Sequence, residues 1–190
     1  MNKNKMLNSY QEIVESFGQQ KYFGIVHSLE TAEEGLESVF YVELKPRYPL
    51  NKDVQVAVLW KLQQIKDSCV SYPSKIGNEL EEALRNNFQY IVDLWPPRIL
   101  QPRDVSRIAD IIFDCQNSIN RNKKKKVWGS NHQVGYYVNS KRKGSTLPID
   151  IINKLKSAKT GFVVCDDWNE LMVVLEFKNV YSLFYWYTGA

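Results

Sequence analysis

No carboxylate occurs between Asp114 and Asp150, and this gap is the largest local departure from average composition in the chain. Inside it, residues 121–143 (RNKKKKVWGSNHQVGYYVNSKRK) carry Arg121, Lys123, Lys124, Lys125, Lys126, Lys141, Arg142 and Lys143, eight cations with no acid among them. The whole chain has a net charge of +4, so everything outside the segment sums to −4. The protein therefore reads as a mildly acidic body with one basic belt. Histidine is almost missing, with only His27 and His132, and the three cysteines (Cys69, Cys115, Cys165) are far apart and never form a CxxC pair. Odd, dispersed cysteines fit reduced thiols buried as small hydrophobes, and hence a cytoplasmic location, better than disulfides or a zinc knuckle. A zinc or haem site would have to gather ligands from unconnected segments, and no cofactor is expected. There is no run of 18 apolar residues, and the opening MNKNKMLNSYQEIVESF has no continuous apolar stretch of the kind a secretory signal needs, so neither membrane spanning nor export is expected. Also missing are a GxSxG elbow, a GxGxxG turn and a GxxxxGK[ST] phosphate loop; Gly144-Ser145-Thr146 follows Lys143 in the wrong order for the last.

What is present is the composition of a globular core: 190 residues, 44% of them hydrophobic. Leu7, Tyr10, Ile13, Val14 and Phe17 recur at helical spacing before Gly18, which predicts a short N-terminal helix. The β-branched and aromatic runs 22–29 and 39–44, separated by a polar loop with Gly35, predict an antiparallel hairpin. Apolar stripes then predict helices over 51–70 and 74–95, the second stopped by Pro96-Pro97, and a third from Pro102 with Val105, Ile108, Ile112, Cys115 and Ile119 inward. That third helix runs straight into the lysine block, whose cations suit a helix C-terminus. Beyond the belt the pattern predicts a strand over 133–138, a KRKGST loop and a helix over 148–158 packing Ile151, Ile152 and Leu155. Three strands follow, over 161–164, 171–177 and 180–187, with turns at Asp166–Asn169 and Lys178-Asn179. The expected fold is α+β: an N-terminal helix and β-hairpin, a central three-helix group, and a C-terminal antiparallel sheet with one helix. It is expected to be a single domain over 1–190, with 1–95 and 98–190 as the lobes if the proline-rich WPPRILQP is a seam.

The belt suggests nucleic acid. Lysine and arginine contacting phosphates gain from counterion release, and Trp128, Tyr136 and Tyr137 offer aromatic faces on which unpaired bases would stack. An acidic protein partner and a plain solvated lysine loop remain the alternatives, since no RNP aromatic pattern, GXXG clamp or double-stranded-RNA signature accompanies the charge. His132 reads as an exposed turn residue within reach of phosphate or base. In the C-terminal run VYSLFYWYTGA, Tyr181, Leu183, Tyr185 and Tyr187 alternate with Ser182, Phe184 and Trp186, so both strand faces are large. One face needs the core; the other is covered by the chain's own helices or by a protein partner.

Glu43-Leu44-Lys45, at the end of VFYVELK, resembles the (D/E)xK half of the PD-(D/E)XK nuclease motif. In that superfamily the acid ligates a divalent metal and the lysine orients water or stabilises the pentavalent phosphate, which would make Glu43 and Lys45 catalytic and Mg²⁺ the cofactor. The order helix, strand, strand, helix over residues 10–65 is similar to part of the superfamily's core, and Gln55 stands where related members carry a glutamine. The upstream aspartate is replaced by His27, with Glu30 the nearest acid. A second triplet, Glu176-Phe177-Lys178, is preceded by Asp166 and Asp167 but has no room after it for the helix and strand of that fold; a cross-strand ion pair on the wet side is its simpler account. With 21 acids among 190 residues, about two such triplets arise by chance, and the chain has two. Asp110 and Asp114, one helical turn apart, read as a solvated face, and Cys165 as core. The readings left standing are a non-catalytic nucleic-acid-binding protein, a metal-dependent nuclease, and an immunity or anti-defence protein acting by protein–protein contact.

Overall fold

The computed structural model describes residues 26–32, 38–44, 98–127, 131–178 and 180–188. In chain order these form β1 (Val26–Glu30), β2 (Ser38–Leu44), β3 (Arg98–Ile99), α1 (Pro102–Arg121), β4 (Gly135–Val138), β5 (Lys141–Gly144), α2 (Ile149–Lys156), β6 (Thr160–Asp166), β7 (Glu170–Phe177) and β8 (Val180–Tyr187). The fold is mixed α+β. All eight strands join one sheet in the order β3-β6-β7-β8-β2-β1-β4-β5, and every neighbouring pair is antiparallel.

Hairpins supply the local steps of this order. β6, β7 and β8 form a meander, and the first of its turns falls at Asp167–Asn169, where turn-forming residues sit. β1 and β2 pair as the expected hairpin, with Leu29 opposite Val39. Two long-range pairings do the rest: β8 lies along β2 from Ser38↔Tyr187 to Leu44↔Tyr181, and β4 lies along β1 from His27↔Val138 to Glu30↔Gly135. The expected C-terminal antiparallel strands are present, and they are continuous with the N-terminal hairpin in one sheet, which includes strands from both sides of Pro96-Pro97. The expected three-helix group is not shown as such. Its third member is α1; the helices over 51–70 and 74–95, like the N-terminal helix, lie outside the described residues, which contain two helices. Neither described helix is long and apolar enough to cross a membrane.

The KRKGST loop is corrected as well, because Lys141–Gly144 is an edge strand. Its register is set by a two-residue turn in which Asn139 (φ 45°) and Ser140 (φ 62°) both adopt the left-handed conformation, the geometry whose twist matches a tight hairpin. Asn139 also fixes the turn to the sheet: its Oδ1 accepts from Val26 N at 2.9 Å and its own N–H donates to Val26 O at 2.9 Å.

Both helices pack on one face. Ile108, Ile111, Ile112, Cys115 and Ile119 of α1 and Ile151 and Leu155 of α2 share a core with Leu29, Tyr136, Val163, Leu171, Val173, Leu175, Phe184 and Trp186. Asp110 and Asp114 are exposed, as an amphipathic stripe requires. Alternate residues of β6–β8 are buried too, Val174 and Leu183 completely, so the meander is covered on both faces. This accounts for the aromatic run of β8, which is an interior strand with β7 and β2 on either side and has no free edge. Cys115 and Cys165 are buried and not in disulfides, and burial pushes the Cys165 thiol up to about 11, so Cys165 does not resemble an activated nucleophile.

A polar latch holds the start of α1 to the sheet. Asp104 is buried, and both its oxygens accept from Arg98 at 2.8 Å while Oδ2 also accepts from Gln101 N at 2.7 Å. Arg98 reaches on to Asp166, which Arg107 also binds, and Arg107 donates to Asp167 O at 2.7 Å. Burial alone would push the Asp104 carboxyl up, but the Arg98 hydrogen bonds and charge and the Gln101 amide hold it below its ordinary 3.8. A depressed folded value means stability that is fully present above pH 3.8 and is lost as pH falls through the lowered value. Asp104→Asn should cost about 2–3 kcal/mol at neutral pH, at or just below the roughly 3–5 kcal/mol for breaking a fully buried pair, because Arg98 stays 32% exposed. Thermal melts across pH should show the gap between wild type and variant closing below pH 3.8; a gap constant down to about pH 2 would show that the carboxylate charge is not what the latch uses.

Candidate nucleic-acid interface

The belt begins where α1 stops. Asn122 closes the helix: its N–H is shared between Ser118 O (3.0 Å) and Ile119 O (3.1 Å), and its Nδ2 also donates to Ser118 O at 3.0 Å. The chain then turns, with Lys125 N on Asn122 O at 2.8 Å, and residues 125–127 run back against residues 132–134 as an irregular ribbon. Val134 N donates to Lys125 O (3.1 Å), Val127 N to His132 O (2.8 Å), and Lys126 bridges Gln133. Val127 and Val134 are buried, while Lys123–Lys126 and His132 are exposed. Two apolar anchors thus hold a ribbon whose charged side chains all face water.

β5 brings the second cluster to the same place. Lys141, Arg142 and Lys143 are exposed on the edge strand, and Arg142 Nε donates to Val134 O at 3.3 Å, the residue whose amide is bonded to Lys125. The two cationic clusters therefore share one rim of the sheet. Arg121 sits at the helix end beside them, and no ion pair joins any of the eight cations to an acid among the described residues. The close approach of β4 and β5 depends on Gly135, since a Cβ there would lie 2.7 Å from Gly144 O and 2.9 Å from Arg142 Nε.

The aromatic part of the expectation fares differently. Tyr136 and Tyr137 are 5% and 4% exposed, and neither presents a ring face for a base. Tyr136 OH lies 2.7 Å from His27 Nδ1, and Tyr137 OH donates to Gln133 O. β4 lies between β1 and β5, and alternation sets Tyr136, opposite Leu29, and Tyr137, opposite Ser28, on opposite faces of the sheet, where both are buried. Trp128 lies outside the described residues.

Sequence reasoning missed one neighbour of the belt. Glu30 pairs with Gly135, so the β1–β4 ladder sets a half-buried carboxylate beside a segment with no acid of its own. Burial raises its pKa, opposed by the Ser28 hydroxyl, which donates to Oε1 at 3.3 Å, and by His132. Tyr137, raised first by its own burial, also feels Glu30 on one side and Arg142 on the other. No local signal reveals this, because the contact spans the chain from β1 to β4.

The nuclease-like positions do not converge. Glu43 is opposite Ser182 in β2, Lys45 lies outside the described residues, and His27 pairs with Tyr41, two positions short of Glu43. Glu30 pairs with Ser38, at the far end of the hairpin from Glu43 and about 17 Å away at the strand rise. The second triplet is similarly scattered: Glu176 pairs with Thr160 while Asp166 sits at the other end of β6, engaged by Arg98 and Arg107. The Glu176 carboxylate lies against the Tyr181 hydroxyl across the β7–β8 pair. No group of three metal-ligating side chains occurs among the described residues.

No protein-family model matches this chain. No curated protein and no solved structure matches it either.

Two substitutions probe this geometry. Gly135→Ala should cost about 1–3 kcal/mol, the range for forcing extra volume into a closed space. It should also separate the two clusters, read as a lower melting temperature together with weaker polyanion binding; unchanged binding by a destabilised variant would show that the clusters act independently. Because the folded pKa of Glu30 is raised, its stability contribution falls as pH rises through that value. Glu30→Gln should therefore be at least as stable as wild type at pH 8, with its advantage shrinking toward pH 4.5. Removing that charge about 10 Å from a phosphate is worth about 0.4 kcal/mol in water, so polyanion affinity should rise about twofold.

Proposed function

We propose that this protein binds nucleic acid through its phosphates along the rim formed by Arg121, Lys123–Lys126 and Lys141–Lys143, and carries out no chemistry of its own. The observation that supports this most is the convergence of two cationic clusters, separate in sequence, on one edge of the sheet without a carboxylate paired to any of them among the described residues. Exposed, unpaired cations at a fixed spacing release counterions from a polyanion at little ordering cost. The reading needs no metal or cofactor, and a reducing, cytoplasmic setting fits Cys115 and Cys165, which are buried and not in disulfides.

Fluorescence anisotropy of labelled nucleic acid against salt tests it. Each phosphate contact contributes about −0.9 to the log–log slope on duplex DNA, so a slope of about −3 to −7 is expected for a rim of this charge. Lys124→Ala/Lys125→Ala and Lys141→Ala/Lys143→Ala should each flatten that slope by about 2 if both clusters touch phosphate. All four lysines are exposed, so folding is spared. Magnesium-dependent cleavage abolished by Glu43→Ala would replace this reading with the nuclease one. Absence of binding at about 50 mM salt would make the rim a solvated loop or a protein-binding surface, and would send the search to a protein partner.

A further inference from the structure

We propose that the rim is adapted to double-stranded rather than single-stranded nucleic acid, an inference that rests on the phosphate-binding reading above and specifies its ligand. Proteins that hold single strands without sequence preference combine a basic groove with aromatic faces, each stacked base adding about 1–3 kcal/mol. Here the two tyrosines lying between the cationic clusters are withdrawn from that role. Their rings are buried in the sheet, and their hydroxyls are engaged by His27 and by Gln133 O. The one exposed ring among the described belt residues, His132, stands edge-on to Tyr137 with centroids 6.2 Å apart.

What remains is a set of cations on a stiff scaffold. Arg121 ends a 20-residue helix closed by Asn122, and Lys125 and Lys126 sit on a ribbon bonded to Val134 and Gln133. Lys141–Lys143 belong to a strand held in register by the Asn139-Ser140 turn, and Arg142 links strand to ribbon through Val134 O. A stiff array gains most from a ligand whose charges are themselves dense and fixed. Duplex DNA carries one charge per about 1.7 Å of axis, and each neutralised phosphate contributes about 0.9 to the salt slope against about 0.7 on a single strand. With four to eight contacts, and affinities taken as equal at a reference salt of about 1 M, that difference favours the duplex by about 6- to 40-fold at about 0.1 M salt.

The test compares a mixed-sequence 20-base-pair DNA duplex with each of its separated strands, for the wild type and for Trp128→Ala, by anisotropy from about 50 to 300 mM salt. The expected result is tighter duplex binding by at least about fivefold at 0.1 M, a steeper duplex slope, and single-strand affinity that Trp128→Ala leaves unchanged. Equal or tighter single-strand binding, or single-strand affinity that falls with Trp128→Ala, overturns the duplex inference and leaves the phosphate-binding reading standing. Failure to bind either form at the lowest salt overturns both.

Discussion

Seven residue pairs between β2 and β8, from Ser38↔Tyr187 to Leu44↔Tyr181, are the interaction on which the rest of the architecture depends. They join the hairpin near the start of the described chain to the meander at its end and so make one sheet of eight strands. With β8 placed there, Phe184 and Trp186 enter the same core as Leu29 and Tyr136, and α1 and α2 have a continuous surface to cover. Each ladder bond contributes only about 0.5–1.5 kcal/mol net; the greater effect is that side chains from both ends of the sequence leave water together. β1, held by β2, then presents its other edge to β4. The basic rim is therefore the last link of a chain of pairings that begins at β8.

Local patterning carried much of this fold. Pro102 and the stripe Ile108, Ile112, Cys115, Ile119 mark α1 because a long amphipathic helix repeats its signal over several turns, and the β6–β8 meander follows from β-branched and aromatic runs broken by Asp167–Asn169 and Lys178-Asn179. Where reading failed, the deciding contact was distant or the residue type misleading. Lys141-Arg142-Lys143 has poor strand propensity and three like charges, so only the left-handed Asn139-Ser140 turn and the pairing to β4 make it a strand. Tyr136 and Tyr137 resembled outward stacking faces because they lie among lysines; burial on the two faces of an interior strand decides otherwise. Glu30 was visible only as a stray acid, because nothing in the sequence near it points to Gly135. The belt's charge was legible, since composition needs no folding to be counted, but the meeting of its two halves was not.

The rim is also a place where folding works against electrostatics. Bringing Lys123–Lys126 beside Lys141–Lys143 gathers like charges that the unfolded chain would keep apart, and at about 0.15 M salt screening over about 8 Å removes only part of that repulsion. The compensation is apolar and positional: Val127 and Val134 are buried beneath the ribbon, and Asn139 ties the hairpin tip to Val26. Glu30, whose burial disfavours its ionised form, and Asp150, whose charge reaches Tyr136, are nearby carboxylates that offset the field.

The two ends of the sheet are guarded differently. β3 is only two residues long and follows Pro96-Pro97, so it offers a second chain almost no ladder to extend. β5 is longer and is kept single by its own charge, because two copies approaching edge to edge must bring six cations together. That guard is conditional where the other is permanent. A polyanion on the rim, as proposed above, would cancel the repulsion between two such edges, so occupancy and self-association would be coupled, and high salt would act in the same direction while removing the ligand.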